Sequence, residues 1–294
     1  MCGNINWRYS LTFNLCFMPT TSPIPCSSAV ELPGTLCQDR IAVFTSMKQD
    51  ILSRCTPSGA ANATIPMSLP LFLQMLNQFA APASGYNGMR VYFGCYPNPQ
   101  GPAPAPSGQA GQLCLLFVPT TPDGSATGQD DTNNTYHLYD TTLTKLDNST
   151  ACAWKARYHS YIIPVLEGFG QKLRSGYNET RSLWYPMSSI SGGSGDIGLI
   201  ALIDCGLVYQ DNPVIGMNVQ LGCFAMYEDI TKWPYYQLTV IFDFQQQNDS
   251  AGMTLSFGSI ESIKLAHDGA FPADTGLPCP PFGNCMPQQS LSTI

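Results

Sequence analysis

The sequence predicts an α+β fold of two tandem related units, each with two helices followed by antiparallel strands, plus an extended N-terminal arm and a C-terminal tail. Three observations predict it: a motif that occurs twice, a helical apolar period before the first copy, and apolar runs typical of strands after both copies. We place the arm at 1–35, the first unit at 36–120, a linker at 121–150, the second unit at 151–269 and the tail at 270–294.

The repeated motif reads Gly-Met-Arg-Val-Tyr-Phe-Gly-Cys-Tyr from Gly88 and Gly-Met-Asn-Val-Gln-Leu-Gly-Cys-Phe from Gly216. Three further landmarks occur twice in the same order. They are a cysteine before a helix-like stretch (Cys37 and Cys152), a Pro-Met-Ser step (Pro66 and Pro186), and an apolar run after a glutamine (Gln112 and Gln237). Ordered self-similarity of this kind indicates an internal duplication.

Two amphipathic helices are predicted in the first unit. Over 38–54, Ile41, Phe44, Met47 or Lys48, and Ile51 recur at the spacing of one helical face. The second helix covers 68–79, where Ser68 can cap the first turn and Pro70 is tolerated.

Two strands follow in the first unit. Residues 90–93 are β-branched and aromatic between two glycines, which predicts a strand, and 113–118 are apolar on both faces, which predicts a central strand. A proline-rich loop over 97–108 joins them.

The second unit repeats this scheme less regularly. A helix over 158–173 contains Pro164 and Gly168, which predict a kink. A glycine-rich turn and apolar run occupy 188–203. Strands are predicted at 217–224, 236–244, 253–257 and 260–265.

Charge is scarce in this chain. It has 294 residues with 13 Lys and Arg, 20 Asp and Glu and a net charge of −7, so only 11% of its residues are charged. Without a basic cluster to neutralise phosphates, we expect no nucleic-acid partner. No apolar run is long enough to predict a membrane span. Residues 1–18 fit a signal peptide poorly and leave the compartment open between cytoplasmic and released or extracellular.

The twelve cysteines are too dilute to predict a disulfide scaffold, and several lie in apolar runs. We expect mainly reduced thiols, although the even count also permits bridges. Cys279 and Cys285 form one compact pair that would either close a tight disulfide loop or stay reduced. No Cys-x-x-Cys occurs, so no metal site and no metal cofactor are predicted.

The first unit and the tail share an order of elements: two helices, the strand Gly-Met-Arg-Val-Tyr-Phe-Gly, a second apolar strand and the ending Leu-Pro-Cys-Pro-Pro. In this order the chain resembles a group of short uncharacterised Bacteroidota proteins. The similarity covers about residues 36–120 and 276–285. This chain differs by its duplication and by its long Pro-Ala loop. The resemblance implies an α+β unit and a bacterial source, and it transfers no catalytic residue.

No set of residues predicts an enzyme. Gly193 to Gly198 has dinucleotide-binding spacing but lacks the strand before it and the helix after it. His137, His159 and His267 have no nucleophile motif to serve, and the rare glutamates form no spaced acidic pair. Residues 123–131 miss the calcium-loop pattern, so a solvated linker is expected there.

The scarcity of charge predicts the function. A surface rich in neutral polar groups repels its own copies weakly, so we expect a non-enzymatic structural subunit that forms a homopolymer (filament, tube or shell) through its terminal arms and sheet edges. The alternative is a carbohydrate- or peptide-binding module that uses aromatic clusters, and the sequence leaves open whether these clusters lie in the core or at an interface. The residues expected to contact a copy or a ligand are Trp184, Tyr185, Trp233, Tyr235, Tyr236, Cys279 and Cys285.

Overall fold

The computed structural model describes residues 34–56, 61–80, 84–97, 105–124, 128–173, 177–187, 214–224, 236–246 and 255–258. These residues form an α+β fold with antiparallel sheets, which confirms the predicted class. The expected features that lie outside the described residues are residues 1–33 of the arm, most of the proline-rich loop, the 188–203 turn, the strand at 260–265 and the tail.

The helices are α1 (Gly34–Phe44), α2 (Asp50–Cys55), α3 (Leu69–Ala80), α4 (Asn148–Arg157) and α5 (Ile163–Leu173). A π-helical turn, Thr45–Gln49, joins α1 to α2, and another, Tyr158–Ile162, joins α4 to α5. Each pair of helices is therefore one continuous helical segment with a π turn inside it. A short 3₁₀ helix also occurs at Thr132–Asn134.

The strands form two sheets. They are β1 (Thr64–Ile65), β2 (Gly88–Cys95), β3 (Leu113–Thr121), β4 (Gln129–Asp130), β5 (Tyr136–Tyr139), β6 (Thr142–Lys145), β7 (Ser182–Pro186), β8 (Val214–Cys223), β9 (Leu238–Gln246) and β10 (Leu255–Gly258). The six-stranded sheet has the order β6-β5-β3-β2-β7, with β4 also paired to β3, and the four-stranded sheet has the order β1-β8-β9-β10.

The π turns have a geometric reason in the sequence. Arg40, Phe44, Lys48 and Leu52 are all buried, and so are Trp154, Tyr158, Ile162 and Leu166. In a regular α-helix, three steps of four residues rotate such a stripe by about 120°. A wider π turn corrects this rotation and keeps each stripe facing the core. Pro164, where a kink was predicted, is the second residue of α5, which begins after the π turn.

The two hairpins, β2–β3 and β8–β9, have the same register over the repeated motif. Cys95 lies opposite Leu113, and Cys223 lies opposite Leu238. The backbone N–H of Tyr96 donates to Gln112 at 3.0 Å, and that of Phe224 donates to Gln237 at 3.2 Å. The matching residues that return the bond, Gly111 and Tyr236, both have positive φ, 76° and 65°.

Each hairpin is completed by a strand from the other part of the chain. β1 pairs with β8, so that Ile65 lies opposite Val219, and β7 pairs with β2, so that Leu183 lies opposite Val91. One further backbone bond extends each pairing, from Leu221 to Ala63 at 2.7 Å and from Phe93 to Arg181 at 3.2 Å.

The helices follow the same exchange. α1 packs against β8 and α4 packs against β2. Each helix also places a buried cation over an aromatic ring of that hairpin: Arg40 lies 4.6 Å from the ring centre of Phe224, and the Lys155 ammonium lies 4.1 Å from that of Tyr92.

The core is divided by the six-stranded sheet. Because side chains alternate along a strand, Val91, Phe93 and Phe117 face the main cluster, whereas Tyr92 and Leu116 face a smaller one with Trp154 of α4. The main cluster also contains the inward side chains of β8 and β9, so it lies between the two sheets. Burial on both faces confirms β3 as a central strand.

The helix predicted at 68–79 and the strands predicted at 90–93, 113–118, 217–224 and 236–244 are present with shifted ends. The segment expected to be a linker, 121–150, instead contains β4, β5 and β6 and the start of α4. The prediction of a solvated loop over 123–131 is wrong at Asp130, whose side chain is buried against Arg90. A cation inside a sheet requires a counter-charge, and β4 supplies it.

We expect Gly88→Ala to destabilise the fold by about 1–3 kcal/mol, because the added methyl would lie 2.3 Å from the Trp184 indole nitrogen, too close for any contact. Urea unfolding of the variant measures the change. Gly168→Ala is the matched control, since its methyl meets nothing within 4 Å, and it should stabilise α5 by up to about 1 kcal/mol. Equal effects of the two substitutions would contradict this packing.

Candidate functional site

The ionisable side chains that come together in the described structure are buried, and they do not line a surface cleft. They form two groups, which we name the Lys48 cluster (Lys48, Tyr177, Glu179 and Cys223) and the Arg90 cluster (Arg90, Tyr92, Asp130 and Lys155). Sequence reasoning selected neither cluster.

The Lys48 cluster connects both helical segments and the second hairpin. The Lys48 ammonium contacts the Glu179 carboxylate, and their side chains are 1% and 0% exposed. Tyr177 bridges the two: its hydroxyl accepts from Lys48 Nζ at 2.9 Å, and it has two acceptors in reach, Glu179 Oε2 at 2.9 Å and the backbone carbonyl of Tyr236 at 3.0 Å. The other carboxylate oxygen, Oε1, accepts from the backbone N–H groups of Leu238 and Thr180 at 2.7 and 2.9 Å.

The backbone around this cluster fixes it in place. Glu179 lies just before β7, and its own N–H donates to Glu167 of α5 at 3.0 Å. Tyr177 packs in the space left by Gly170 of α5. Burial, followed by the negative charge of Glu179, raises the pKa of Tyr177, so its hydroxyl stays protonated at neutral pH.

Cys223 lies beside this ion pair. Burial is the main reason that its pKa is raised, to about 12; Lys48 lowers it and Glu179 raises it. The thiol is therefore protonated and unreactive at neutral pH. Cys55, Cys95, Cys114 and Cys223 are free, as expected, but Cys152 is disulfide-bonded, so the expectation of reduced thiols is wrong at that residue.

The Arg90 cluster is held across the six-stranded sheet. Arg90 forms an ion pair with Asp130, and their side chains are 1% and 2% exposed. Asp130 also accepts from the Tyr92 hydroxyl at 2.5 Å, and Arg90 donates to the carbonyl of Gly128 at 3.2 Å. Burial is also the main reason that the pKa of Lys155 is lowered. The contacts of Arg90 and Tyr92 with Asp130 hold β4 against β2, and the contact of the Lys155 ammonium with the Tyr92 ring holds α4 against β2.

His137 lies on β5 and is buried. The rings of Tyr96 and Trp154 pack edge-on against its imidazole, with ring centres 5.5 and 5.0 Å away. Its Nε2 is 2.7 Å from the Tyr96 hydroxyl. Burial lowers its pKa from 6.5 to about 4, so the imidazole is neutral at pH 7.

Of the predicted contact residues, the structure describes Trp184, Tyr185 and Tyr236. Trp184 and Tyr185 are 6% and 1% exposed, so these two adopt the core packing that the sequence left open. The Trp184 indole donates to Thr120 Oγ1 at 3.0 Å, and Tyr185 packs edge-on against Phe242. Tyr236 is partly exposed at the start of the second hairpin's return strand. Trp233, Tyr235, Cys279 and Cys285 lie outside the described residues.

A small cleft between α2, β1 and the first hairpin has a volume of about 20 Å³, which holds about one water molecule. In the part of the chain that the structure describes, no group of three His, Cys, Asp or Glu side chains is arranged to hold a metal ion. None of the described helices is long and apolar enough to cross a bilayer.

The sequence signal for the buried ions was weak but present. Lys48 falls on the apolar face of the first helix, where the predicted stripe allowed it as an alternative to Met47. A charged residue at a core position requires a partner. The partner is Glu179, far away in the chain, and nothing local in the sequence identifies it.

We expect Asp130→Asn to cost about 3 kcal/mol of unfolding free energy, because it leaves the Arg90 charge buried without its counter-charge. The control is Asp50→Asn, which breaks the exposed Arg54–Asp50 pair and should cost less than about 0.5 kcal/mol. Chemical denaturation in parallel compares them. A small loss for Asp130→Asn would show that this ion pair does not hold the sheet.

We expect stability to fall as the pH decreases from 6.5 towards about 4. In this window the unfolded chain protonates His137 and the folded chain does not, so the folded state loses up to about 3 kcal/mol relative to the unfolded one. His137→Gln should flatten the decline, measured by urea unfolding at several pH values. His159, whose pKa is also lowered to about 4, adds to the slope, and His159→Gln is the comparison variant. Identical pH profiles for wild type and His137→Gln would contradict this assignment.

In comparisons with known proteins, no protein-family model, no curated protein and no solved structure matches this chain. The resemblance to the short Bacteroidota proteins therefore stays a prediction.

Proposed function

We propose that this chain is a non-enzymatic structural subunit that assembles with copies of itself into a homopolymer, through its terminal arms and its sheet edges. The observation that carries the proposal is the low charge of the surface. Of the 13 Lys and Arg residues, Arg40, Lys48, Arg90 and Lys155 are buried, so at most nine can lie on the surface. Since only 11% of the residues are charged, the surface has few ionic groups for its area, and we expect the repulsion between copies to be weak.

The interior position of the ions also favours a structural role over a catalytic one. A catalytic acid, base or nucleophile must come within hydrogen-bond reach of a substrate. Lys48 and Glu179 are buried and contact each other, and Arg90 is buried against Asp130. Their geometry suits a frame that holds helices and sheets together.

The second helical segment supplies exposed apolar side chains for such an assembly. Tyr161, Val165 and Leu173, in the second π turn and α5, are 60%, 43% and 46% exposed. Pro164 and Gly168 on the same segment are also exposed and uncharged. Lys172, seven residues after Val165 and also exposed, lies on the same side of the helix as Val165. Exposed large apolar side chains rimmed by polar residues are typical of interaction surfaces.

A sheet edge supplies the second kind of contact. Among the described strands, β6 is the last of the six-stranded sheet, and three of its four residues are exposed. An edge strand presents unpaired backbone groups to which another chain can add a strand. In this proposal the N-terminal arm or the C-terminal tail of a neighbouring copy supplies that strand.

We also propose that the chain consists of two related units in tandem. The support is the equal register of the two hairpins, the similar π turns, and the reciprocal pairing of β1 with β8 and β7 with β2. Reciprocal exchange between two related units within one chain is also available between chains, as in domain swapping. It offers a route by which copies join.

The binding-module alternative has less support in the described residues. Two of its aromatic contacts, Trp184 and Tyr185, are buried, and Trp233 and Tyr235 lie outside the description. It therefore depends on Trp233, Tyr235 and the partly exposed Tyr236.

We expect the wild-type chain to associate as its concentration increases, and the double variant Val165→Lys, Leu173→Lys to associate much less. The two ammonium groups that replace these apolar side chains would have to be desolvated in any contact that covers positions 165 and 173. Size-exclusion chromatography with light scattering, together with electron microscopy, measures the assembly against the monomer mass of 31.9 kDa.

The control is Ser160→Lys with Gln171→Lys. It adds the same charge at two exposed polar positions of the same helical segment and removes no apolar side chain. Loss of assembly in both double variants would indicate a general charge effect. A wild-type chain that stays monomeric at high micromolar concentration would refute the proposed function.

A further inference from the structure

The Lys48 cluster contains the components of a covalent reaction. A primary amine and a carboxyl group meet in the interior, with Lys48 Nζ in contact with Glu179 Oε2. Their side chains are 1% and 0% exposed, so bulk water has no access to either group. The two residues are far apart in the sequence, and only the fold brings them together.

Hydrogen bonds hold both oxygens of the Glu179 carboxyl group. Its Oε1 accepts two backbone N–H bonds, from Leu238 at 2.7 Å and from Thr180 at 2.9 Å. Two fixed donors on one oxygen stabilise the negative charge that develops there when a nucleophile adds to the carbon. The other oxygen, Oε2, receives the Tyr177 hydroxyl at 2.9 Å. That hydroxyl is positioned to protonate Oε2 as it leaves.

Burial favours a neutral product. A buried ion pair loses most of its hydration, and its mutual attraction often recovers no more than that loss. An amide between the same two side chains carries no net charge and keeps the carbonyl that Leu238 and Thr180 bind. The water released is lost from a site that solvent cannot readily enter, which opposes the reverse hydrolysis.

We propose that Lys48 and Glu179 condense to an intramolecular amide bond that joins the first helical segment to the chain segment before β7. A proton first passes from the ammonium to Oε2, which leaves a neutral amine and a neutral acid. The Nζ lone pair then forms a bond to Cδ, and the carbonyl electrons move to Oε1. The nitrogen loses a proton through the Tyr177 hydroxyl to Oε2, the Cδ–Oε2 bond breaks, and one water molecule leaves.

The second buried pair provides a control within the same molecule. Arg90 and Asp130 are as deeply buried and as close as Lys48 and Glu179. A guanidinium group, however, remains protonated and delocalised in proteins and offers no free amine as a nucleophile. Arg90 and Asp130 should therefore remain an ion pair while Lys48 and Glu179 react.

The test is the intact mass of the purified folded chain, measured after reduction of its disulfide. We expect a mass lower than the sequence mass by one water molecule. Tryptic digestion should give a branched peptide that joins residues 48 and 179, with no cleavage after Lys48. The peptides that contain Arg90 and Asp130 should be separate.

Two variants identify the reacting groups. Lys48→Met keeps a long apolar side chain but removes the amine, and its mass should equal its sequence mass. Tyr177→Phe keeps both reacting groups but removes the proton donor, so the link should form more slowly after refolding. If Tyr177→Phe forms the link as fast as the wild type, the role of Tyr177 is wrong. If the folded wild-type chain has its full sequence mass and gives only linear peptides, the bond does not exist, and this result requires no variant to fold.

Discussion

The reciprocal pairing of strands is the constraint on which the rest of the structure depends. β1 completes the sheet of the second hairpin and β7 completes the sheet of the first, so neither sheet has its full set of strands without the other part of the chain. The helices preceding these two strands are thereby carried across as well, α1 onto β8 and α4 onto β2. The main core then lies between the two sheets and draws side chains from both.

The buried ions follow from this arrangement. Each helix packs against the hairpin of the other part of the chain, and there its buried cation, Arg40 in α1 or Lys155 in α4, lies over an aromatic ring. Lys48 and Arg90 are instead neutralised by carboxylates from remote segments. Such contacts cost desolvation, and they are specific, because a shifted register would separate each charge from its partner. Because four of the 13 Lys and Arg side chains are buried, at most nine remain for the surface, where the proposed self-association takes place.

Local signals in the sequence predicted the elements better than their partners. The helix at Leu69–Ala80 and strands β2, β3, β8 and β9 were found from apolar periodicity and flanking glycines, because these signals are local. The pairing of β1 with β8 was not predicted, because two residues carry too little pattern to select a strand. The role of Asp130 was missed for a related reason: a short acidic stretch rich in glycine and threonine is typical of a solvated loop, and only the buried Arg90 reveals its purpose. The Lys48 cluster combines residues from both parts of the chain, and sequence alone does not bring them together.

The order in which the strands are made has a consequence for synthesis on the ribosome. β1 emerges long before β8, and β2 long before β7, so the first hairpin and its neighbouring helices leave the exit tunnel with open sheet edges and no permanent partner. Long-range pairings of this kind give a high contact order and slow folding, and exposed edges in a nascent chain invite wrong pairings with other chains. Production of this protein should therefore depend on translation rate and on chaperones that shield the early half until the late half appears.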